Sequence, residues 1–107
     1  MNARRYVAHL KRSLKEGTQW AVFEPNGKAL WAKVRRAIKD FLLNEWRTGA
    51  LLGDRQKEAF FVKCDRSTMT QNDLDNGRLV CEVGVAPVRP AEFVILRIGQ
   101  WTADRKP

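Results

Sequence analysis

Residues 77–101 have the sequence GRLVCEVGVAPVRPAEFVILRIGQW, and this stretch decides the fold. Its two apolar runs, Arg78–Ala86 and Glu92–Trp101, predict two strands joined by the segment Pro87–Pro90. In the first run every second residue is apolar, which predicts one buried face made of Leu79, Cys81, Val83 and Val85. The second run is long, mostly apolar and almost terminal, so its row of backbone N–H and C=O groups needs a partner strand.

The partner of this last strand can lie in the same molecule or in a neighbour. The first possibility is ordinary antiparallel pairing with Arg78–Ala86, and the second is an arm that adds to a neighbour's sheet. The two prolines of the connection suit a spacer better than a tight two-residue hairpin, but composition leaves both possibilities open. Val94, Leu96 and Ile98 are predicted to form one face of the strand, with Phe93 and Ile95 on the other. We therefore expect the strand to be covered on both faces near its start and half exposed near its end.

Two helices are predicted upstream from apolar residues spaced by three and four, at Arg4–Glu16 and at Lys28–Arg47. Only Glu45 interrupts the apolar stripe of the second helix. Between them, Gln19–Phe23 is interpreted as either a strand or a packed linker, and Asn26 is a candidate N-cap.

The second half of the chain adds a strand at Glu58–Cys64, predicted from its aromatic and β-branched content. Thr70–Asn76 reads as one helical turn with a capping box between Thr70 and Asp73. Helices followed by strands predict an α+β fold: two main helices packed on one face of a small, mainly antiparallel sheet, with an extended C-terminal strand. At 107 residues we expect a single domain, residues 1–107.

The positive charge of the chain lies entirely in its first half. Residues 1–57 hold 13 Lys/Arg and 5 Asp/Glu, whereas residues 58–107 hold 7 of each, so the helical half carries the whole net charge of +8. Such a field suits an anionic partner, although a solvated helix face is the ordinary alternative. The candidate docking residues are the cations of the second helix: Lys28, Lys33, Arg35, Arg36 and Lys39.

The aromatic residues of that helix bear on which anionic partner fits. Trp31, Phe41 and Trp46 lie on the apolar stripe and are predicted to be core residues, so they are not expected to stack on bases. An acidic protein surface therefore fits at least as well as DNA, and a small basic nucleic-acid-binding module is kept as the alternative function.

No catalytic, cofactor or metal site is predicted. The two cysteines, Cys64 and Cys81, sit in apolar strands and are interpreted as buried, reduced thiols. His9 lies on a charged helix and is interpreted as a surface residue, so neither zinc spacing nor a nucleophile–base pair exists. No apolar run is long enough to span a membrane, and no apolar segment follows Met1–Arg5, so we expect synthesis in the cytoplasm and no membrane or small-molecule partner.

Five strings, in order, carry a resemblance to a known family. They are Glu24-Pro25-Asn26 followed by Leu30-Trp31; Phe41-Leu42 through Trp46 and Gly49-Ala50-Leu51; Glu58-Ala59-Phe60-Phe61-Val62-Lys63-Cys64-Asp65; Gly84-Val85-Ala86-Pro87; and Pro90-Ala91-Glu92-Phe93-Val94. Their order and spacing resemble the C-terminal domain of contractile phage tail sheath proteins over about Arg4 to Trp101.

The resemblance implies a structural role in a contractile tail or phage-tail-like particle made in a bacterial host. Sheath subunits stack as rings around an inner tube and interlock through extended arms that add strands to neighbours' sheets. Carried onto this chain, the basic helices are candidates for facing an acidic tube, and the sequence leaves open which helix does so. The arm region corresponds to residues 92–101, and the expected inter-subunit residues are Glu92, Phe93, Val94, Ile95, Leu96, Arg97, Ile98 and Trp101. Sheath proteins are much longer, so we expect this chain to correspond to their C-terminal domain alone.

Overall fold

The computed structural model describes residues 3–49, 51, 54–86 and 94–104. Two long helices, α1 (Ala3–Gly17) and α2 (Lys28–Arg47), come first, and a 3₁₀ helix, Gln19–Phe23, lies between them. The remaining elements follow in the order α3 (Gln56–Ala59), β1 (Phe60–Lys63), a 3₁₀ helix (Arg66–Thr68), α4 (Gln71–Asp75), β2 (Arg78–Val85) and β3 (Val94–Trp101).

The three strands form one antiparallel sheet in the order β1-β2-β3. The register pairs Phe60 with Val85 across β1 and β2, and Val85 with Val94 across β2 and β3. On the inner face, α2 contacts β1 and α1 contacts β3, so the helices form a layer over the sheet. The predicted α+β fold is therefore confirmed. The predicted apolar face of β2 is also confirmed, because all four of its side chains are fully buried.

The interruption of the α2 stripe has a structural reason. Tyr6 of α1 donates a hydrogen bond from its hydroxyl to Glu45 Oε2 at 2.9 Å, so the carboxylate joins the two helices. The buried members of the stripe are Leu30, Trp31, Val34, Ile38 and Leu42. Phe41 and Trp46, predicted to be core residues, are half-buried and pack against that core.

The region between the two long helices differs from the prediction. Of the two alternatives for Gln19–Phe23, the strand is wrong: the segment is a 3₁₀ helix packed against α1 and β3, in which the Ala21 N–H donates to the Thr18 carbonyl at 3.1 Å. Local bonds of this kind satisfy the backbone within the segment itself. The N-cap of α2 is Gly27 rather than Asn26. The Asn26 side chain instead accepts a bond from Trp31 Nε1 at 2.7 Å.

The first strand is shorter than predicted, while the capped turn is as predicted. The short helix α3 includes residues 58 and 59, so β1 begins only at Phe60. In α4 both bonds of the capping box are present at 3.0 Å: Thr70 Oγ1 accepts from the Asp73 N–H, and Asp73 Oδ2 accepts from the Thr70 N–H.

The last strand, β3, pairs with β2 of the same chain along all eight of its residues. We predicted that the start of this strand is covered and its end half exposed. That prediction was wrong, because the helical layer packs over the end of the strand. Val94 and Ile95 are 38% and 49% exposed, whereas Gln100 Nε2 donates to the Lys15 carbonyl at 2.6 Å. The predicted connection, Pro87–Pro90, and residues Glu92 and Phe93 lie outside the described residues.

Candidate functional site

The outer edge of β1 presents backbone groups that no described strand pairs with. The Ala86 N–H donates to the Ala59 carbonyl at 3.0 Å, which continues the β1–β2 ladder by one residue. Hydrogen-bonded and non-hydrogen-bonded pairs alternate along an antiparallel ladder. The pairs that hold Phe60 and Val62 are therefore non-hydrogen-bonded, and the N–H and C=O groups of these two residues point away from β2. The Phe60 N–H donates to the Gln56 carbonyl of α3, so the groups left at this edge are the Phe60 carbonyl and both groups of Val62.

A basic groove lies along this edge of β1. Its volume is about 760 Å³, and it lies between the exposed side of α2 and the strand residues Phe60, Phe61 and Val62. The α2 wall is cationic: its charged residues are Arg35, Arg36, Lys39 and Asp40. Arg35 Nη1 donates to the Cys64 carbonyl at 3.1 Å, just beyond the end of β1. The groove thus combines outward-facing backbone groups with a positively charged wall.

The five candidate cations of α2 are all exposed, but their surroundings differ. Lys28, Arg35 and Lys39 are spaced by seven and four residues, which places them on one side of the helix. Lys33 lies on another side and forms an ion pair with Glu24 at 3.1 Å. Arg36 and Lys39 make no hydrogen bond or ion pair with any described residue. The same holds for Lys28, so these three are the cations most available to an anionic partner, and Arg36 and Lys39 also line the groove.

The edge formed by β3 is the other open side of the sheet. The Thr102 N–H donates to the Gly77 carbonyl at 3.0 Å, which continues the β2–β3 ladder by one residue. By the same alternation, the backbone groups of Ile95, Arg97 and Gly99 point away from β2. Among the described residues, no further strand lies on that side of β3.

Comparison with known proteins agrees with this geometry. Residues 1–100 match the family model of the phage tail sheath C-terminal domain. The chain belongs to this family. No curated protein sequence matches the chain.

Two solved structures resemble this sheath domain closely. One is a chain in the cryo-EM structure of the six-fold symmetrised baseplate of the anti-feeding prophage, with a TM-score of 0.75 and 42% identity over 87% of the present chain and 26% of that one. The other is a chain of the PVC sheath complex of an extracellular contractile injection system in its contracted state, with a TM-score of 0.74 and 41% identity over 87% of this chain and 27% of that one. The sheath domain thus spans about a quarter of each of those two chains.

The residues predicted for the inter-subunit strand fall into two groups in the sheath domain. Leu96 and Ile98 are buried in its own core, so they hold β3 to this molecule. The described residues that remain available are Val94, Ile95, Arg97 and Trp101, which are exposed. Arg97 lies near Glu82 at 3.9 Å, and the Arg78 guanidinium lies over the Trp101 ring, 5.9 Å from its centroid.

Sequence reasoning missed an exposed aromatic residue of the sheath domain. Phe23 ends the first 3₁₀ helix and is 84% exposed, with Val22 beside it at 39%. The short aromatic run at Gln19–Phe23 was the only signal in the sequence. This signal did not show that Ala21 is buried and the end of the segment exposed, because the burial of each residue depends on the helix being of the 3₁₀ type.

Two carboxyl groups of the sheath domain have pKa values that are shifted for structural reasons. Hydrogen bonds from the Ser67 hydroxyl and backbone lower the pKa of Asp65, and the backbone N–H of Thr70 lowers the pKa of Asp73. Both carboxylates cap short helical turns. Within the described ranges, no group of three His, Cys, Asp or Glu residues could hold a metal ion, and no helix is long and apolar enough to cross a membrane.

Proposed function

We propose that this sheath domain is a non-catalytic structural part of a contractile sheath, in a phage tail or a phage-tail-like particle synthesised in a bacterial host. The family match over residues 1–100 carries this proposal. It is supported by the two similar structures, one of which is a sheath complex and the other a baseplate. In this proposal residues 1–107 act as one domain, with a basic helical half at 1–57 and a strand-rich half at 58–107.

Neighbouring sheath subunits are linked through the edges of the sheet. The strand predicted for this role is residues 92–101. Its described part, β3, uses one side to pair with β2, and the other side offers the backbone groups of Ile95, Arg97 and Gly99 to a neighbour's strand. The edge of β1 offers the carbonyl of Phe60 and both backbone groups of Val62 in the same way. Each added backbone hydrogen bond contributes about 1 kcal/mol, so a short added strand gains a few kcal/mol before its side chains contribute.

The basic side of α2 faces the inner tube in this proposal. Arg36 and Lys39 support it most directly, because both are exposed, line the groove and pair with no described carboxylate. Charges on such a surface steer association and fix register, and their effect weakens as salt increases.

The nucleic-acid alternative gains little support from the same helix. Trp31 is buried, and its indole N–H is bonded to Asn26, so it does not offer a stacking surface. Duplex binding that depends steeply on salt is the result that would favour this alternative.

Proline substitutions test strand addition at each edge. Val62→Pro and Arg97→Pro each remove an outward N–H and leave the bonds to β2 in place, so the domain should fold. When the sheath and tube proteins are co-expressed, electron microscopy of the particles should show that one or both variants lose sheath assembly. The matched control for fold damage is Phe61→Pro, because Phe61 lies in a hydrogen-bonded pair with Gly84. If folded Val62→Pro and Arg97→Pro both assemble like the parent, strand addition is wrong, while the sheath role itself stands if the parent forms sheaths.

A further inference from the structure

The two cysteines of the chain face each other on the inner side of the sheet. Cys64 directly follows β1 and Cys81 lies in β2, and both are free and fully buried. The register pairs Lys63 with Glu82, so its next step places Cys64 opposite Cys81. Cys81 shares its face with the buried Val83, so both thiols lie in the core.

Hydrogen-bonded and non-hydrogen-bonded pairs alternate along the β1–β2 ladder, and the position of this pair in that alternation suits it to a covalent link. Counting from the bonded pair of Ala59 and Ala86, Cys64 and Cys81 form a non-hydrogen-bonded pair, the type in which opposite Cα atoms are closest, at about 4.5 Å. A disulfide accommodates Cα separations of about 4.4–6.8 Å. The neighbouring Cys64 thiol, through a hydrogen bond, together with burial, raises the pKa of Cys81.

We propose that Cys64 and Cys81 are a modification site, at which a small-molecule disulfide such as oxidised glutathione converts the two thiols into a cross-strand disulfide. The site goes beyond the proposed function and does not depend on it, because it rests on the strand register alone.

The reaction is two thiol–disulfide exchanges. In the first, the thiolate of one cysteine attacks a sulfur of oxidised glutathione, forms a mixed disulfide and releases one glutathione thiolate. In the second, the thiolate of the other cysteine attacks the protein sulfur of the mixed disulfide, closes the Cys64–Cys81 bond and releases a second glutathione thiolate. The two protons lost by the protein thiols are taken up by the two released thiolates, so two protein thiols are oxidised and one disulfide is reduced.

Access to the buried pair comes from opening of β1. This strand has four residues and lies at the edge of the sheet, so it pairs on one side only within the described residues. Short edge elements open at lower free-energy cost than the global unfolding of a domain. Once formed, the bond closes a loop of 18 residues, from Cys64 to Cys81, and ties the groove-lining strand β1 to the centre of the sheet.

Refolding in a glutathione redox buffer tests this site on the full chain. The denatured protein is refolded with reduced and oxidised glutathione, so that bond formation does not depend on opening of the native state. After alkylation in denaturant, the expected mass is about 2 Da below that of the unmodified chain, with no alkylated cysteine. The expected thermal midpoint lies about 10 °C or more above that of the reduced protein, and dithiothreitol should reverse the shift.

Cys81→Ala is the matched control, because it cannot close the bond and should show no gain in the thermal midpoint under the same buffer. The proposal is overturned if the refolded parent keeps two alkylatable thiols, if it carries glutathione on one cysteine, or if the closed disulfide lowers the midpoint. Should Cys81→Ala fail to fold, the mass of the parent chain and the reversal by dithiothreitol still decide the matter.

Discussion

At Gly84 an aromatic ring, that of Phe61, lies across the outer face of the sheet. Gly84 lies opposite Phe61 of β1 and Ile95 of β3. A Cβ atom at Gly84 would lie 2.1 Å from a ring carbon of Phe61, closer than any real contact allows. The glycine is therefore required by the close approach of the ring and not by its backbone angles.

Replacement of Gly84 by alanine should destabilise the domain. The added methyl group must displace the Phe61 ring, and we expect a loss of about 1–3 kcal/mol in the free energy of unfolding, as for other overpacked sites. Urea denaturation measures this loss. Gly17→Ala is the control, since nothing lies within 4 Å of its Cβ position. An equal effect of the two substitutions would show that the ring contact is not the cause.

Single residues also mark where sequence reasoning reached its limit. The burial of both cysteines followed from the apolar strands around them. Their direct opposition did not, because it depends on where β1 begins and on the register with β2. Glu45 looked like a defect in the apolar stripe, and its partner Tyr6 lies 39 positions earlier in the sequence, beyond the reach of local patterns.

The hydrogen bond between Tyr6 and Glu45 is the polar link between α1 and α2. Burial, the hydrogen bond and the charge of Glu45 raise the pKa of Tyr6 above its ordinary value near 10. Above that pH the unfolded chain loses the phenolic proton while the folded chain keeps it. The stabilisation is therefore fully present below about pH 10 and is lost as the pH rises further.

Tyr6→Phe should remove this alkaline dependence. We expect the difference in unfolding free energy between the parent and the variant to be constant from about pH 7 to 9 and to shrink above about pH 10. Urea titrations at a series of pH values measure it. Because groups other than Tyr6 titrate alike in both proteins, a difference that stays constant up to about pH 11 would contradict the assigned cause.

Among the elements, those with a long repeating pattern could be predicted from the sequence. The bounds of α2 are those that its spacing predicts, and the capping box of α4 is present in full. Shorter segments depend on contacts made elsewhere in the chain. Gln19–Phe23 packs against β3 but closes on itself as a 3₁₀ helix, and the covered end of β3 is determined by where α1 packs.

On the scale of the whole molecule, the fold places the cations of the helical half in different surroundings. Glu24 neutralises Lys33, whereas Arg36 and Lys39 remain beside the groove at the edge of β1. The sum of these charges can be counted from the sequence. Which of the cations are available to an anionic partner depends on the ion pair between Glu24 and Lys33 and on the position of β1.

Reversal of the two available charges that line the groove should weaken binding to the tube. For Arg36→Glu combined with Lys39→Glu, we expect about tenfold or more weaker association with the tube protein at low salt, and a smaller difference at high salt. Lys11→Glu combined with Arg12→Glu, on exposed positions of α1, changes the net charge equally and serves as the control. Sedimentation with preformed tubes measures the binding. If both double variants lose the same affinity, only the overall charge matters, and the proposed face of α2 is wrong.

Amide hydrogen exchange at the sheet edges tests the central claim most directly. In the isolated chain the outward N–H groups of Val62 and Arg97 should exchange fast, while the Phe61 N–H, in a hydrogen-bonded pair with Gly84, should be protected. In the assembled sheath, strand addition predicts that exchange slows markedly at Val62, at Arg97 or at both, because a neighbour's strand then accepts from them. If both amides exchange as fast in the assembled sheath as in the isolated chain, with Phe61 protected in each, the claim that sheath subunits are linked through these edges is contradicted.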